Sequence, residues 1–260
     1  MCVSSQPTLN VDIEAYLQRI KHVGEVRPTE ATLLSLHRAH ILAVPFENLD
    51  IHLGRKIVCD EGRFLHKIVN EHRGGFCYEL NGAFAALLRA LGFRVTLLSG
   101  RVAGEDGRYG PEFDHLTLLV DFENPWLADV GFGDSFLEPL RLNPGMEQAQ
   151  SGRVYRLTSI DGAFDLEVSA EGKWKREYTF TLHPHDLSEF AGMCIYHQTS
   201  TESHFTRQRI CSLATPEGRV TLSDHKLIET RRGSRQETLL AGDQEWRAKL
   251  CDLFGVVLPE

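Results

Sequence analysis

The apolar residues of this chain change their spacing near Gly92, and that change limits the fold more than any other feature of the sequence. Ahead of it they recur at intervals of three and four, as in Phe76, Leu80, Phe84, Leu87, Leu88 and Leu91, the period of a helix with one buried face. Helices are predicted over residues 11–20, 29–41, 62–70 and 77–91. Thr29, after Pro28, is placed to cap the second of these, Pro45 to close it, and Gly92 to stop the last. Behind Gly92 come short β-branched or aromatic stretches at 93–102, 115–122, 126–130, 154–160, 164–169 and 174–181, separated by turns containing Gly, Asn and Asp. Such strands pair antiparallel, which predicts a small barrel or curled sheet packed against the helices. The last third is mixed, with a helix near 185–196, strands near 209–214 and 219–222, and a helix within 243–254. The fold expected is α+β: a helical domain at 1–91, a β domain at 92–197 and a smaller α/β domain at 198–260.

With 260 residues, 42% of them hydrophobic, the chain can bury one large core or two to three small ones, and it carries no repeat or low-complexity tract. Apolar runs such as 83–88 and 116–120 fall far short of the ~20 residues a membrane-spanning helix needs. The start, Met1-Cys2-Val3-Ser4-Ser5-Gln6-Pro7, lacks the basic-then-apolar pattern of a secretory signal, so a cytoplasmic location with reduced cysteines is expected. Cys2, Cys59, Cys77, Cys194, Cys211 and Cys251 include no Cys-x-x-Cys pair, which argues against a zinc ribbon and a dithiol redox site. A net charge of −8 spread along the sequence disfavours binding to nucleic acid. Arg207, Arg209, Arg219, Arg231, Arg232 and Arg235 concentrate in the last quarter, either as a solvated face or as an attraction for one anionic small molecule.

The segment Arg73-Gly74-Gly75-Phe76-Cys77-Tyr78-Glu79-Leu80-Asn81 places a cysteine where a glycine-rich turn gives way to a helix. Unpaired N–H groups and the positive end of the helix dipole favour a thiolate there, so a reactive Cys77 with a depressed pKa is one reading and an inert buried thiol the other. A nucleophilic cysteine needs a base. Among twelve histidines, His115 opens the alternating strand His115-Leu116-Thr117-Leu118-Leu119-Val120, and Asp129 ends the next strand before Gly131-Phe132-Gly133. Neighbouring antiparallel strands would set His115 beside Asp129, the carboxylate holding the ring in one tautomer. Taken by themselves, both residues read as ordinary strand-end residues before catalytic ones, and Asp114 rivals Asp129 for the orienting role.

Three of these segments, in order, resemble the arylamine N-acetyltransferase family: Pro45-Phe46-Glu47-Asn48-Leu49, the Cys77 segment, and Asp129-Val130-Gly131-Phe132-Gly133. The stretch from Ser203-His204-Phe205-Thr206-Arg207 to Cys211-Ser212-Leu213 is also similar to the family's third domain, and the length resembles its bacterial members. The resemblance implies a helical bundle, an antiparallel β-barrel and an α/β lid, with a papain-like triad of Cys77, His115 and Asp129 where the first two meet. It implies acetyl-CoA as acyl donor, no metal, and arylamine, arylhydrazine or N-hydroxyarylamine acceptors in xenobiotic metabolism. Phe46, Val102, Phe132 and Phe205 would wall the acceptor, Gly131 and Gly133 would admit coenzyme A, and Arg73 would pair with Glu47. A cysteine hydrolase or transglutaminase-like enzyme, and a macrolactam-forming amide synthase, remain alternatives on the same residues.

Overall fold

Local side-chain caps set where the first helices begin. Asp12 accepts the Ala15 N–H at 3.0 Å to start α1 (Ile13–Arg19), and Thr29 accepts the Thr32 N–H at 3.2 Å to start α2 (Glu30–Ala43). Val44, before Pro45, is extended, and the chain enters a two-residue strand β1 (Phe46–Glu47) and a single turn α3 (Leu49–His52). Asp60 caps α4 (Glu61–Leu65), which widens into a π-helical turn over His66–Asn70, so the helix predicted at 62–70 is two geometries in series. Then comes α5 (Cys77–Ala90), buried from Cys77 through Leu88, with Gly92 at φ +90° behind it. The computed structural model describes residues 11–170 and 172–259, so Cys2 lies outside the described residues, while Cys59, Cys77, Cys194, Cys211 and Cys251 are free.

The period-two region forms β2 (Val95–Val102), β3 (His115–Val120), β4 (Trp126–Ala128), β5 (Leu140–Arg141), β6 (Gln148–Gln150), β7 (Arg153–Ile160), β8 (Ala163–Ala170) and β9 (Lys173–Thr181). These make one antiparallel sheet in the order β5-β4-β3-β2-β9-β8-β7-β6. The sheet curls into a nearly closed barrel whose end strands meet through side chains. Gln148 exchanges hydrogen bonds with the Arg141 backbone at 2.8 and 3.1 Å, and Gln150 with the Glu138 backbone at 2.9 and 2.8 Å. Leu98, Leu127, Leu157, Leu166, Tyr178 and Phe180 fill the interior. The opposite side of β3 and β4 packs Leu116, Leu118, Val120 and Trp126 against Phe84, Leu87 and Leu88 of α5, in the core that also takes Tyr16 and Leu33.

After a 3₁₀ turn at Leu187–Phe190 come α6 (Ala191–Thr199), α7 (His204–Arg207), β10 (Ile210–Thr215), β11 (Gly218–Ser223), β12 (Lys226–Arg231), β13 (Ser234–Leu239) and α8 (Asp243–Phe254). The second sheet runs β1-β10-β11-β12-β13, with Trp246, Leu250 and Phe254 of α8 on Leu222 and Leu227. Sequence patterning predicts β10 and β11 but not β12 or β13; all six residues of β13 are exposed, leaving no apolar alternation to read. Phe46 and Glu47 pair with Ser212 and Cys211, so the Pro45–Leu49 motif is tied to the C-terminal sheet across most of the sequence. The fold is mixed α+β, and no described helix is long and apolar enough to cross a membrane.

Candidate active site

Two glycines bring the Cys77 segment against the Pro45 motif. A Cβ on Gly74 would lie 1.9 Å from the Pro45 carbonyl oxygen, so no other residue fits, and the Glu47 N–H donates to the Gly75 carbonyl at 2.9 Å. Arg73 donates to Glu47 Oε1 from Nη2 at 2.7 Å and from Nε at 3.0 Å, and to Asp50 Oδ1 at 3.1 Å. The expected Arg73–Glu47 pair is therefore part of a larger network: Lys67 Nζ, from the π-helical turn, lies 2.8 Å from both Asp50 Oδ2 and Glu79 Oε1. Two cations face three carboxylates, nearly all out of water. Burial pushes Glu79 up to about 7 against the pull of Lys67, whereas Lys67 and Arg73 outweigh the burial of Asp50 and hold it below its usual range. Glu79 Oε2 also accepts the Phe76 N–H at 3.1 Å, capping the helix that Cys77 begins.

Cys77 is the first residue of α5 and is 4% exposed. Burial pushes its thiol well above the ordinary value; the carboxylates of Asp114 and Asp129 push the same way, and the N–H groups of Leu116 and Tyr78 pull against them. The expected depression of the thiol is thus reversed. A helix dipole contributes up to ~2 kcal/mol, less than the cost of removing an unpaired charge from water.

His115 and Asp129 meet: Nε2 lies 2.7 Å from Oδ2, with both side chains almost wholly buried. They are not directly opposite. Leu118 pairs with Ala128, which puts Thr117 level with Asp129 and His115 two residues along on the same face, a diagonal contact. Asp129 can turn inward because β4 stops at Ala128 and the Asn81 side chain enters the gap. Asn81 Nδ2 donates to the Leu116 carbonyl at 2.6 Å and to Asp129 Oδ1 at 2.9 Å, and its Oδ1 accepts the Val130 N–H at 2.9 Å. The carboxylate also accepts from Tyr178 Oη at 2.8 Å and from the Gly131 N–H at 3.0 Å. Although burial works against its charge, His115, Asn81 and the Gly131 N–H hold Asp129 below the usual carboxylate range. The rival, Asp114, turns elsewhere, its Oδ1 lying 3.1 Å from His197 Nε2.

A cavity of about 830 Å³ opens beside these groups, lined by Cys77, His115, Phe46, Val102, Phe132 and Phe205 among others. The four predicted apolar wall residues, Cys77 and His115 therefore face one space, of a size that suits a small-molecule site. Gly131 and Gly133 line it too. Gly131 has a packing reason of its own, since a Cβ there would lie 2.9 Å from Cys77 Cα and 2.7 Å from Asn81 Nδ2. Of the clustered arginines only Arg219 and Arg235 reach the cavity, joined by Arg108 from the β2–β3 loop. Arg209 is taken by Asp224 and Asp243, and Arg231 and Arg232 face Glu217. Tyr178, Lys67, Asp50 and His197 carried no signal in the sequence, because each acts through partners distant in the chain rather than through a local pattern.

Comparison with known proteins gives the family and the fold. The sequence model of a family described as N-acetyltransferase matches residues 29–260. The arylamine N-acetyltransferase / N-hydroxyarylamine O-acetyltransferase of Salmonella typhimurium is 34% identical over 234 residues, 89% of this chain and 83% of that protein. The solved arylamine N-acetyltransferase structure from the same organism superposes with a TM-score of 0.90 at 32% identity, covering 95% of this chain and 92% of the other. The Mycobacterium marinum arylamine N-acetyltransferase, solved in complex with CoA, gives a TM-score of 0.88 at 32% identity over 94% of this chain and 93% of that one. Proansamycin X synthase of Amycolatopsis mediterranei is 31% identical over 249 residues, 91% of this chain and 94% of that protein. By sequence and by fold, the chain belongs to the arylamine N-acetyltransferase family and is an acyltransferase.

Proposed function

We propose that this chain moves the acetyl group of acetyl-CoA onto arylamines, arylhydrazines and N-hydroxyarylamines by way of an acetylated Cys77. The observation that carries the reading is the buried His115–Asp129 contact of 2.7 Å beside the cavity that Cys77 also lines. His115 Nε2 is committed to Asp129, which leaves Nδ1 as the nitrogen that accepts a proton. A thiol raised by burial has no stable thiolate of its own, so Cys77 passes its proton to His115 as its sulfur attacks the thioester carbonyl, and Asp129 steadies the imidazolium. The tetrahedral intermediate expels coenzyme A, which leaves as a thiol with that proton. The acceptor nitrogen then attacks the acetyl-cysteine and gives its proton to His115, which returns it to the departing Cys77 sulfur.

Phe46, Val102, Phe132 and Phe205 supply an apolar slot for an aromatic ring, and Arg108, Arg219 and Arg235, each beside a carboxylate (Asp106, Asp134 and Glu237), are the arginines that line the cavity where coenzyme A phosphates would come. Release of free coenzyme A from acetyl-CoA, with and without an arylamine, tests the reading: amine-dependent release that vanishes in Cys77→Ala supports it, and no release across several amines overturns it. The likeness to proansamycin X synthase favours a second reading, an intramolecular amide synthase. That enzyme class would form its amide without consuming acetyl-CoA.

A further inference from the structure

Behind Asp129 lies a histidine that no motif singled out. His37, on α2, has no exposed surface, and its two ring nitrogens touch partners of opposite kind. Nε2 lies 3.1 Å from the Asp129 backbone nitrogen, which can only donate, and Nδ1 lies 2.9 Å from the Leu137 carbonyl oxygen, which can only accept. The tautomer is therefore fixed: Nδ1 carries the proton and Nε2 accepts. The ring is stacked on Phe136 at 5.7 Å and 14°, and meets Phe84 of α5 edge-on at 5.9 Å. Because β4 ends at Ala128, the Asp129 N–H has left the strand ladder, and without His37 it would be a buried donor with no acceptor.

We infer that His37 is a positioning residue for Asp129, a neutral imidazole that fixes the main chain where it peels from the barrel so that Oδ2 meets His115. The inference rests on Asp129 orienting His115 as proposed above. Asn81, Tyr178 and Gly131 hold the carboxylate; on the main chain, Thr117 Oγ1 donates to the Ala128 carbonyl and Asn81 accepts the Val130 N–H, while the Asp129 N–H between them goes to His37. A proton on Nε2 would set two N–H groups against each other. The surroundings keep it off: burial pushes His37 down to about 4, against the pull of the Leu137 carbonyl and of Asp129. The other titratable groups around it are His40 on the same helix and, beyond His40, Tyr16 and Arg19 of α1; α5 presents the uncharged Phe84.

His37→Leu removes the acceptor, and His37→Gln restores one on a side chain of similar reach. With acetyl-CoA and an arylamine, the Leu variant is expected to lose kcat on the order of a hundredfold, the usual cost of a misplacement near 1 Å, with KM for acetyl-CoA little changed and with Gln recovering most of the loss. In an Asp129→Asn background, His37→Leu should cost almost nothing further, because its effect runs through Asp129. A folded Leu variant with wild-type kcat, or full additivity with Asp129→Asn, overturns the inference. Should the Leu variant fail to fold, nitrogen-15 NMR of the wild-type ring decides: an unprotonated Nε2 at neutral pH supports the assignment and a protonated one overturns it. Failure of the wild-type protein to transfer acetyl would sink the functional reading, and the NMR would still report on His37.

Discussion

Cys77 shows what a local sequence pattern can and cannot carry. Its place at the first turn of a helix follows from glycines, an apolar period and a stop signal, all within some twenty residues of sequence. The sign of its pKa shift does not, because that depends first on burial under residues far along the chain and then on the carboxylates of Asp114 and Asp129, with the Leu116 N–H pulling the other way. The consequence is testable with iodoacetamide. Alkylation of Cys77 at neutral pH should depend on His115 as proton acceptor, so His115→Ala should slow it severalfold, and equal rates in the two proteins would contradict the account. Asn81 makes a second residue-scale case. Replacing it with Ala leaves the Val130 N–H and the Leu116 carbonyl buried without this partner, a loss of about 2–3 kcal/mol. A denaturation midpoint equal to wild type would show that the strands rejoin without it. His37 escaped notice because it meets Asp129 92 residues further along the chain, and nothing in the local sequence marks such a contact.

Elements were legible where capping and period agree. The starts of α1 and α2, the run of α5 and the long strands β7, β8 and β9 all follow from residues within one or two turns of the element. β5 and β6, two and three residues long, carry too few side chains for alternation to register, and they matter through Gln148 and Gln150, which join the barrel seam. Removing both amides by Gln→Ala should cost on the order of 1 kcal/mol per lost hydrogen bond while acetyl transfer per folded molecule stays close to wild type. A variant with unchanged stability would mean that the seam closes by other contacts. The network joining the π-helical turn, β1 and the start of α5 is a stronger tie. Arg73→Ala takes two hydrogen bonds from the buried Glu47 carboxylate and leaves Lys67, at 3.7 Å, as its nearest cation, a loss of roughly 3 kcal/mol, so thermal stability should fall before the chemistry is specifically affected. Full stability with lost activity would contradict that order.

For the whole molecule, the change of period at Gly92 made the α+β class readable, whereas the pairing of β1 with β10 was not, since it joins residues 46–47 to 211–212. The triad residues proposed above were readable as a resemblance, and the hydrogen-bonded shell around Asp129 was not. That shell has a global signature in acid. His37, brought from 6.5 to about 4, stays neutral in the folded state while the unfolded chain takes up a proton, so its contribution of about 3 kcal/mol is present above pH 6.5 and lost as pH falls toward 4. Glu79, raised from 4.5 to about 7, has the opposite sign and gains stability over nearly the same window as pH falls, which roughly offsets His37. His40, also buried and pushed well down, is left uncompensated. The urea midpoint should therefore fall between pH 7 and pH 5, and a midpoint that rises would show that burial of the histidines has been misjudged.

The central claim is that the acetyl group rests on Cys77 between donor and acceptor. Intact-protein and peptide mass spectrometry after brief mixing with acetyl-CoA alone tests it most directly. The account predicts one acetyl group on the peptide carrying Cys77, removed on adding an arylamine with formation of the acetylated amine, and absent in Cys77→Ala. An active protein in which Cys77 never carries the group would contradict it and point to direct transfer.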